Sequence, residues 1–128
     1  MHKFVSTHKA PKAVGPYSQA VIAAGGSITF VSGQIPLNPE TMTVEVSSVR
    51  EQTRVVLENL QHVLHAADLS RAHVVKTTVY LKDMNDFAAV NEEYAKFFGG
   101  HRPARACVEV ARLPKDVLIE IDAIAVRY

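Results

Sequence analysis

Between Arg102 and Val126 the apolar residues recur at every second position, a pattern that a helix cannot bury and a pair of strands can. Ala106, Val108 and Val110 share one face of the first strand, with Arg105, Cys107 and Glu109 on the other. On the second strand Val117, Ile119, Ile121 and Ala123 align, leaving Leu118, Glu120 and Asp122 opposite. Leu113-Pro114-Lys115-Asp116 lies between them and reads as a short turn, so the stretch predicts an antiparallel hairpin. A register centred on that turn faces Cys107 with Glu120 and Arg105 with Asp122. A slip of one residue would instead send Arg105 and Glu120 to opposite faces. The polar face is open to two readings. It is either a solvated surface carrying a cross-strand ion pair or a site that gathers a guanidinium, a thiol and a carboxylate.

The preceding chain supplies the layers around this pair. Residues 1–18 lack steady periodicity, and Gly15-Pro16-Tyr17-Ser18 reads as a turn that holds an aromatic hydroxyl in a defined place. Gln19 to Ala24 and Ser27 to Ser32 are strand-like runs separated by Gly25-Gly26, which suits a tight hairpin turn. Gly33 at the end of the second run either relieves the strand or lets a group approach its backbone amide. No phosphate-binding glycine loop is present. Asn38-Pro39-Glu40-Thr41 predicts a turn, followed by an extended piece at Val44 to Val46.

Ser48 and Glu51 form an S-x-x-E capping box that opens a helix whose expected stripe is Val49, Thr53, Val56, Leu60, Val63 and Ala67. Glu58, His62 and His65 fall opposite that stripe, so they read as a solvent-facing trio and not as metal ligands. Asp68 stands where a helix-ending glycine would be comfortable. His73 to Lys82 is a β-branched strand with Val75, Thr77, Val79 and Leu81 on one face. Asp83 is expected to cap a second helix with the stripe Phe87, Val90, Tyr94 and Phe97, ended by Gly99-Gly100. Asn91 lies beside that stripe, either as a satisfied hydrogen bonder or as part of a site.

This order predicts an α+β chain, a single domain over residues 1–128, with a mixed, mostly antiparallel sheet and both helices on one face. The strands carry apolar residues on both faces, and no third helix exists to cover the second, so self-association is expected. The charges nearly balance, 14 Lys plus Arg against 13 Asp plus Glu, which gives no general field for nucleic acid or membrane. One cysteine excludes an internal disulfide and fits a reducing compartment. With no apolar run of signal or membrane-spanning length, the expected location is the cytoplasm.

Pro103 to Ile121, P-A-R-A-C-V-E-V-A-R-L-P-K-D-V-L-I-E-I, resembles the signature of the RidA/YjgF family of reactive intermediate deaminases. The likeness extends to A-P-K-A-V-G-P-Y-S-Q (Ala10 to Gln19), V-S-G-Q-I-P-L-N-P (Val31 to Pro39), V-V-K-T-T-V-Y-L-K-D-M-N-D-F (Val74 to Phe87) and V-N-E-E-Y (Val90 to Tyr94). The resemblance implies a chorismate-mutase-like two-layer sandwich, assembled as a homotrimer with sites in the clefts between subunits. It implies hydrolysis of short 2-imino or enamine acids, such as 2-iminobutanoate and 2-iminopropanoate, to 2-oxo acids and ammonia, with no cofactor and no metal. By the same resemblance Arg105 holds the substrate carboxylate with the backbone amide of Gly33, and Glu120 positions or activates water. Tyr17, Ser32, Asn91 and Cys107 line the pocket. Asp68 and Met42 depart from the family pattern at positions where glycine is common, and Arg102 where some members carry an apolar residue. Two other functions stand against a deaminase: a ribonuclease or translation inhibitor, and a non-catalytic regulatory or chaperone-like trimer. The balanced charge and the lack of an aromatic-basic stripe argue against nucleic acid.

Overall fold

The computed structural model describes all 128 residues, Met1–Tyr128. Strands β1 (Lys3–Val5) and β2 (Ala20–Ile22) form a small antiparallel sheet. The main sheet is built from β3 (Ile28–Gln34), β4 (Val74–Leu81), β5 (Ala104–Glu109) and β6 (Ile119–Val126), in the order β3-β6-β4-β5. Helix α1 (Val49–Ala66) connects β3 to β4, and α2 (Phe87–Phe98) connects β4 to β5. Strands β4 and β5 pair in parallel, while β6 runs antiparallel to both β3 and β4. Two helical crossovers therefore lay β3, β4 and β5 in one direction, and the last strand inserts between the first two.

That insertion overturns the expected hairpin. β5 and β6 are not neighbours, because β4 lies between them. Their connection passes over the end of β4, where the Val110 amide donates to the Leu81 carbonyl at 2.8 Å and the Lys82 amide to the Leu118 carbonyl at 3.0 Å. Pro114–Asp116 forms a single 3-10 turn in that crossing. The alternation along each strand is as read, but alternation fixes faces and not neighbours. The central place goes to the strand with the most to bury: Ile119, Ile121, Ala123 and Ala125 are all buried.

Gly25-Gly26 is a second correction. β2 pairs with β1 and not with β3, so the two glycines make no hairpin. Gly25 passes against the end of the chain with φ +128°, where a Cβ would stand 1.8 Å from the Arg127 carbonyl oxygen. Only glycine fits, for close approach and for dihedral together. The extended piece at Val44–Val46 reduces to one bridge between Leu37 and Val44.

Helix α1 starts as read. Ser48 Oγ accepts the Glu51 amide at 3.2 Å and donates to Glu51 Oε1 at 2.9 Å. Its buried stripe is Gln52, Thr53, Val56, Leu57, Leu60 and Leu64. Val63 is exposed, so the stripe is turned towards the leucines, which bury more apolar surface. Before α2, Asp83 caps a short 3-10 turn, Met84–Asp86, by accepting the Asn85 amide at 2.8 Å. Val90, Tyr94 and Phe98 are the buried apolar residues of α2, with Phe87 and Phe97 half-buried beside them. On β4 a bulge between Val74 and Lys76 brings Val74 into the core, where Val75 was expected.

Both helices pack on one face of the sheet, closing a core between them and Val31, Val79, Leu81, Ile119 and Ile121. No helix lies on the other face, which leaves Phe30 74% exposed and Ile28 and Val108 uncovered. No helix is long and apolar enough to cross a membrane. Met42 (φ 58°) and Asp68 (φ 57°) adopt the left-handed conformation that glycine prefers.

Candidate active site

Arg105 pairs with Thr77, a fully buried residue of β4, so its side chain rises from the sheet on the helix side. There it enters a cage. Its guanidinium carbon lies 5.0 Å from the centre of the Tyr94 ring, 5.3 Å from Tyr17 and 5.5 Å from Phe87. Nη1 donates to Asn91 Oδ1 at 2.6 Å. Phe87, Asn91 and Tyr94 stand at i, i+4 and i+7 on α2, so one face of that helix supplies three of the four contacts. Tyr17 arrives on the loop before β2, tied to β5 by the Ser18 amide on the Pro103 carbonyl at 3.2 Å. Its own hydroxyl accepts the Val14 amide at 3.2 Å.

No carboxylate lies within ion-pair distance of Arg105; the ion pairs of the chain are made by Arg50, Arg54, Lys96 and Arg112. A half-buried guanidinium without a carboxylate partner leaves charged donors that an anion can satisfy. Cys107, two residues along and on the same face, stays a thiol: burial pushes it up, and the nearby charge of Arg105 offsets that only in part. It is a free cysteine with no hydrogen-bonded base to draw off its proton.

Glu120 lies elsewhere. It pairs with Tyr80, one residue out of phase with the core positions of both strands, and so projects from the face without helices. The expected shared face of Arg105, Cys107 and Glu120 is therefore wrong for one chain: the first two are on the helix side and the third is opposite. The cause is the inserted β4, which removes any direct pairing between β5 and β6. Glu120 meets Gly33 of β3, where a Cβ would stand 2.1 Å from Oε2. Burial, and then the charge of Asp122, raise the Glu120 carboxyl above its usual range. Asp122 in turn accepts the Tyr80 hydroxyl at 3.1 Å. Ser32 is exposed on β3 next to Gly33.

The seven expected residues thus fall into two groups. Arg105, Asn91, Tyr17 and Cys107 gather on one face, with Gly33 and Glu120 on the other and Ser32 adjoining Gly33. Sequence reading missed Phe87 and Tyr94 as partners of Arg105, although their helical spacing about Asn91 carried the signal. It also missed Asp122 and Tyr80 as neighbours of Glu120, for want of the strand order. A cavity of about 300 Å³ opens beside Gly33 between Leu37, Met42 and His62, but neither Arg105 nor Glu120 lines it. Glu58, His62 and His65 are exposed, and no three His, Cys, Asp or Glu side chains are grouped to hold a metal ion.

The family described as Endoribonuclease L-PSP matches residues 7–127. A 2-iminobutanoate/2-iminopropanoate deaminase of Salmonella typhimurium is 53% identical, over 99% of this chain and 99% of its own. A RutC family protein of Pyrococcus horikoshii is 55% identical, over 98% of each chain. A crystal structure of Escherichia coli TdcF with bound serine superposes with a TM-score of 0.76 at 48% identity, covering 98% of this chain and 99% of that one. The Escherichia coli YjgF gene product gives 0.76 at 50% identity, with the same coverage. A match along nearly the whole chain, on the fold and on the sequence together, places this protein in the Endoribonuclease L-PSP family, to which the RidA/YjgF deaminases belong.

Proposed function

We propose that this protein hydrolyses short 2-imino acids, such as 2-iminobutanoate, to 2-oxo acids and ammonia, at a site completed between two copies of the chain. The observation that carries this reading is the unpaired, caged guanidinium of Arg105, a ready seat for a small carboxylate. The deaminase named among the relatives supports it. Two charge-assisted bonds from a planar fork to a carboxylate contribute roughly 1.5–3 kcal/mol each, enough to orient a small acid.

Chemistry at C2 then needs a group to move protons. Glu120 suits the task, because burial and then the charge of Asp122 raise its carboxyl above the usual range and make it a stronger base. Water adds to C2 of the imine while Glu120 takes its proton, and the carboxyl returns that proton to nitrogen. Glu120 then takes the hydroxyl proton of the resulting carbinolamine and hands it to nitrogen, so that the C2–N bond breaks, ammonia leaves and the C2–O bond becomes a carbonyl. No electrons are transferred, and the imine carbon is already electrophilic, so the residues present suffice. Acid–base help of this kind is typically worth ~10²–10⁴-fold.

Because Arg105 and Glu120 project from opposite faces, a single chain does not bring them to one substrate. We place Glu120 and the Gly33 amide of one copy against the Arg105 cage of the next. The uncovered apolar face with Phe30 and Val108 is the surface that such packing would bury, in a homotrimer as the family resemblance implies. The family description also names an endoribonuclease, but a net charge of +1 supplies no tract for a polyanion.

A threonine dehydratase reaction, followed by oxo-acid release with a scavenging amine present, tests the reading. Added wild-type protein should accelerate release, and Arg105→Ala should abolish the effect while leaving the assembled mass unchanged. Full activity in Arg105→Ala would remove Arg105 as the carboxylate anchor. RNA cleavage that co-purifies with the wild-type chain and disappears in Arg105→Ala would favour the nuclease.

A further inference from the structure

We propose that Asn91, with Phe87 and Tyr94, is a positioning residue whose task is to hold Arg105 without neutralising it, and that an amide at 91 in place of a carboxylate sets the pocket's selectivity for an anionic ligand. The inference rests on the reading of Arg105 as a carboxylate seat and assigns how that seat is kept charged and aimed.

A guanidinium has five donors and no acceptor, so the Asn91 atom that meets it at 2.6 Å must be the amide oxygen. That oxygen fixes one edge of the fork and carries no formal charge. The three rings offer their faces, which attract a cation through the ring quadrupole without supplying a counter-charge. Tyr94 is neutral at any working pH, since burial pushes its phenol up to about 12. Its hydroxyl shares a hydrogen bond with Thr77 Oγ1 at 2.7 Å, which locks the ring from behind. Every group touching the guanidinium is thus uncharged, and a carboxylate ligand would be its first counter-ion.

Aspartate has nearly the same shape as asparagine and would keep the contact. It would also pair with Arg105 internally, and a ligand carboxylate would then compete with it for the same donors. Loss of the side chain is a milder change, because the guanidinium, though no longer aimed, meets no competing charge and stays free for a ligand carboxylate. Asn91→Asp should therefore be worse than Asn91→Ala, which is the reverse of what simple loss of a substrate contact predicts.

Calorimetric titration with 2-oxobutanoate and with its neutral amide, on the assembled protein, separates these cases. Asn91→Asp should weaken 2-oxobutanoate by about 10- to 100-fold at neutral pH, more than Asn91→Ala does, and leave the neutral amide nearly unchanged. In the dehydratase-coupled assay the same variant should raise KM with little change in kcat. The deficit of Asn91→Asp should shrink as pH is lowered and the introduced carboxylate is protonated. Equal losses in the two variants, or a loss of the same size for acid and amide, would overturn the proposal. A crystal structure of Asn91→Ala gives a readout independent of any activity: the guanidinium should leave its place over Tyr94 and Phe87. An unmoved Arg105 would refute the positioning role. Failure of the wild-type chain to bind 2-oxobutanoate, with Arg105 displaced in Asn91→Ala, would instead refute the carboxylate reading and leave the positioning intact.

Discussion

Gly33→Ala separates packing from chemistry better than any substitution at the charged residues. The added methyl carbon would stand 2.1 Å from Glu120 Oε2, 2.8 Å from Cδ and 3.2 Å from Cγ. Ordinary contact begins near 3.4 Å, so the carboxylate oxygen must retreat by about 1.3 Å. The obstacle is the end of a side chain and not backbone, and φ of Gly33 lies outside the left-handed region, so the backbone accepts alanine. Glu120 takes a poorer rotamer at a cost of ~0.5–1.5 kcal/mol, against ~0.4–1 kcal/mol gained by stiffening the unfolded chain. The melting temperature should therefore move by less than about 5 °C. Catalysis should suffer far more, since a displacement of ~1 Å in a reacting group costs about 10²-fold, or ~2.7 kcal/mol of barrier. The substitution keeps the Gly33 amide N–H, so the loss should fall on kcat and leave KM nearly unchanged. Imine hydrolysis coupled to the dehydratase, beside a thermal melt, reads both quantities. In a Glu120→Gln background the same change should cost little more, because the two act through one carboxylate. A Gly33→Ala protein with wild-type kcat would refute the role of Glu120, and one that melts 10 °C lower would refute the packing argument.

Other expectations concern stability and assembly. Asp68 holds φ 57° after α1, a conformation that costs a side-chain-bearing residue ~1–2 kcal/mol; Asp68→Gly should raise the melting temperature by a few degrees in calorimetry. His73 has its imidazole held below the usual histidine value by burial and then by the charge of Arg127, while Nδ1 accepts the Ser70 amide at 3.0 Å. The unfolded chain then binds a proton that the fold resists, so this contribution is full above the unfolded value near 6.5, declines below it and is lost once pH has fallen through the lower folded value. Melting curves from about pH 8 to pH 5 should decline less steeply for His73→Gln than for the wild type; identical slopes would contradict the assignment. Phe30, 74% exposed on the helix-free face, should anchor the contact between copies. Phe30→Asp should shift the sedimentation mass towards the monomer and lower deaminase activity with it, and an unchanged mass would move the interface elsewhere.

Much of this protein follows from its sequence by local rules. Ser48 and Glu51 start α1, Asp83 opens the turn before α2, and Gly99 (φ 59°) ends it, because capping depends on residues within one turn of one another. The faces of β5 and β6 were legible for the same reason, since alternation is a property of the strand alone. Asp68 stood out where a helix-ending glycine would be comfortable, Met42 only through the family pattern, and both adopt positive φ.

Strand neighbours were a different matter. The choice between a β5–β6 hairpin and an inserted β4 depends on which arrangement buries Ile119, Ile121, Ala123 and Ala125 on the helix side, and no short window of sequence contains that comparison. Gly25 shows the same limit: its neighbours in sequence suggest a hairpin, while the group that demands glycine is the Arg127 carbonyl, a hundred residues away. The site followed suit. Sequence identified Arg105, Asn91, Tyr17, Cys107, Gly33, Ser32 and Glu120 as the residues worth watching. Only the tertiary structure decided that Arg105 enters an uncharged cage on one face and Glu120 meets Gly33 on the other. The reason is physical: a side chain's type is written locally, but its charge environment is set by whichever strand the core places beside it.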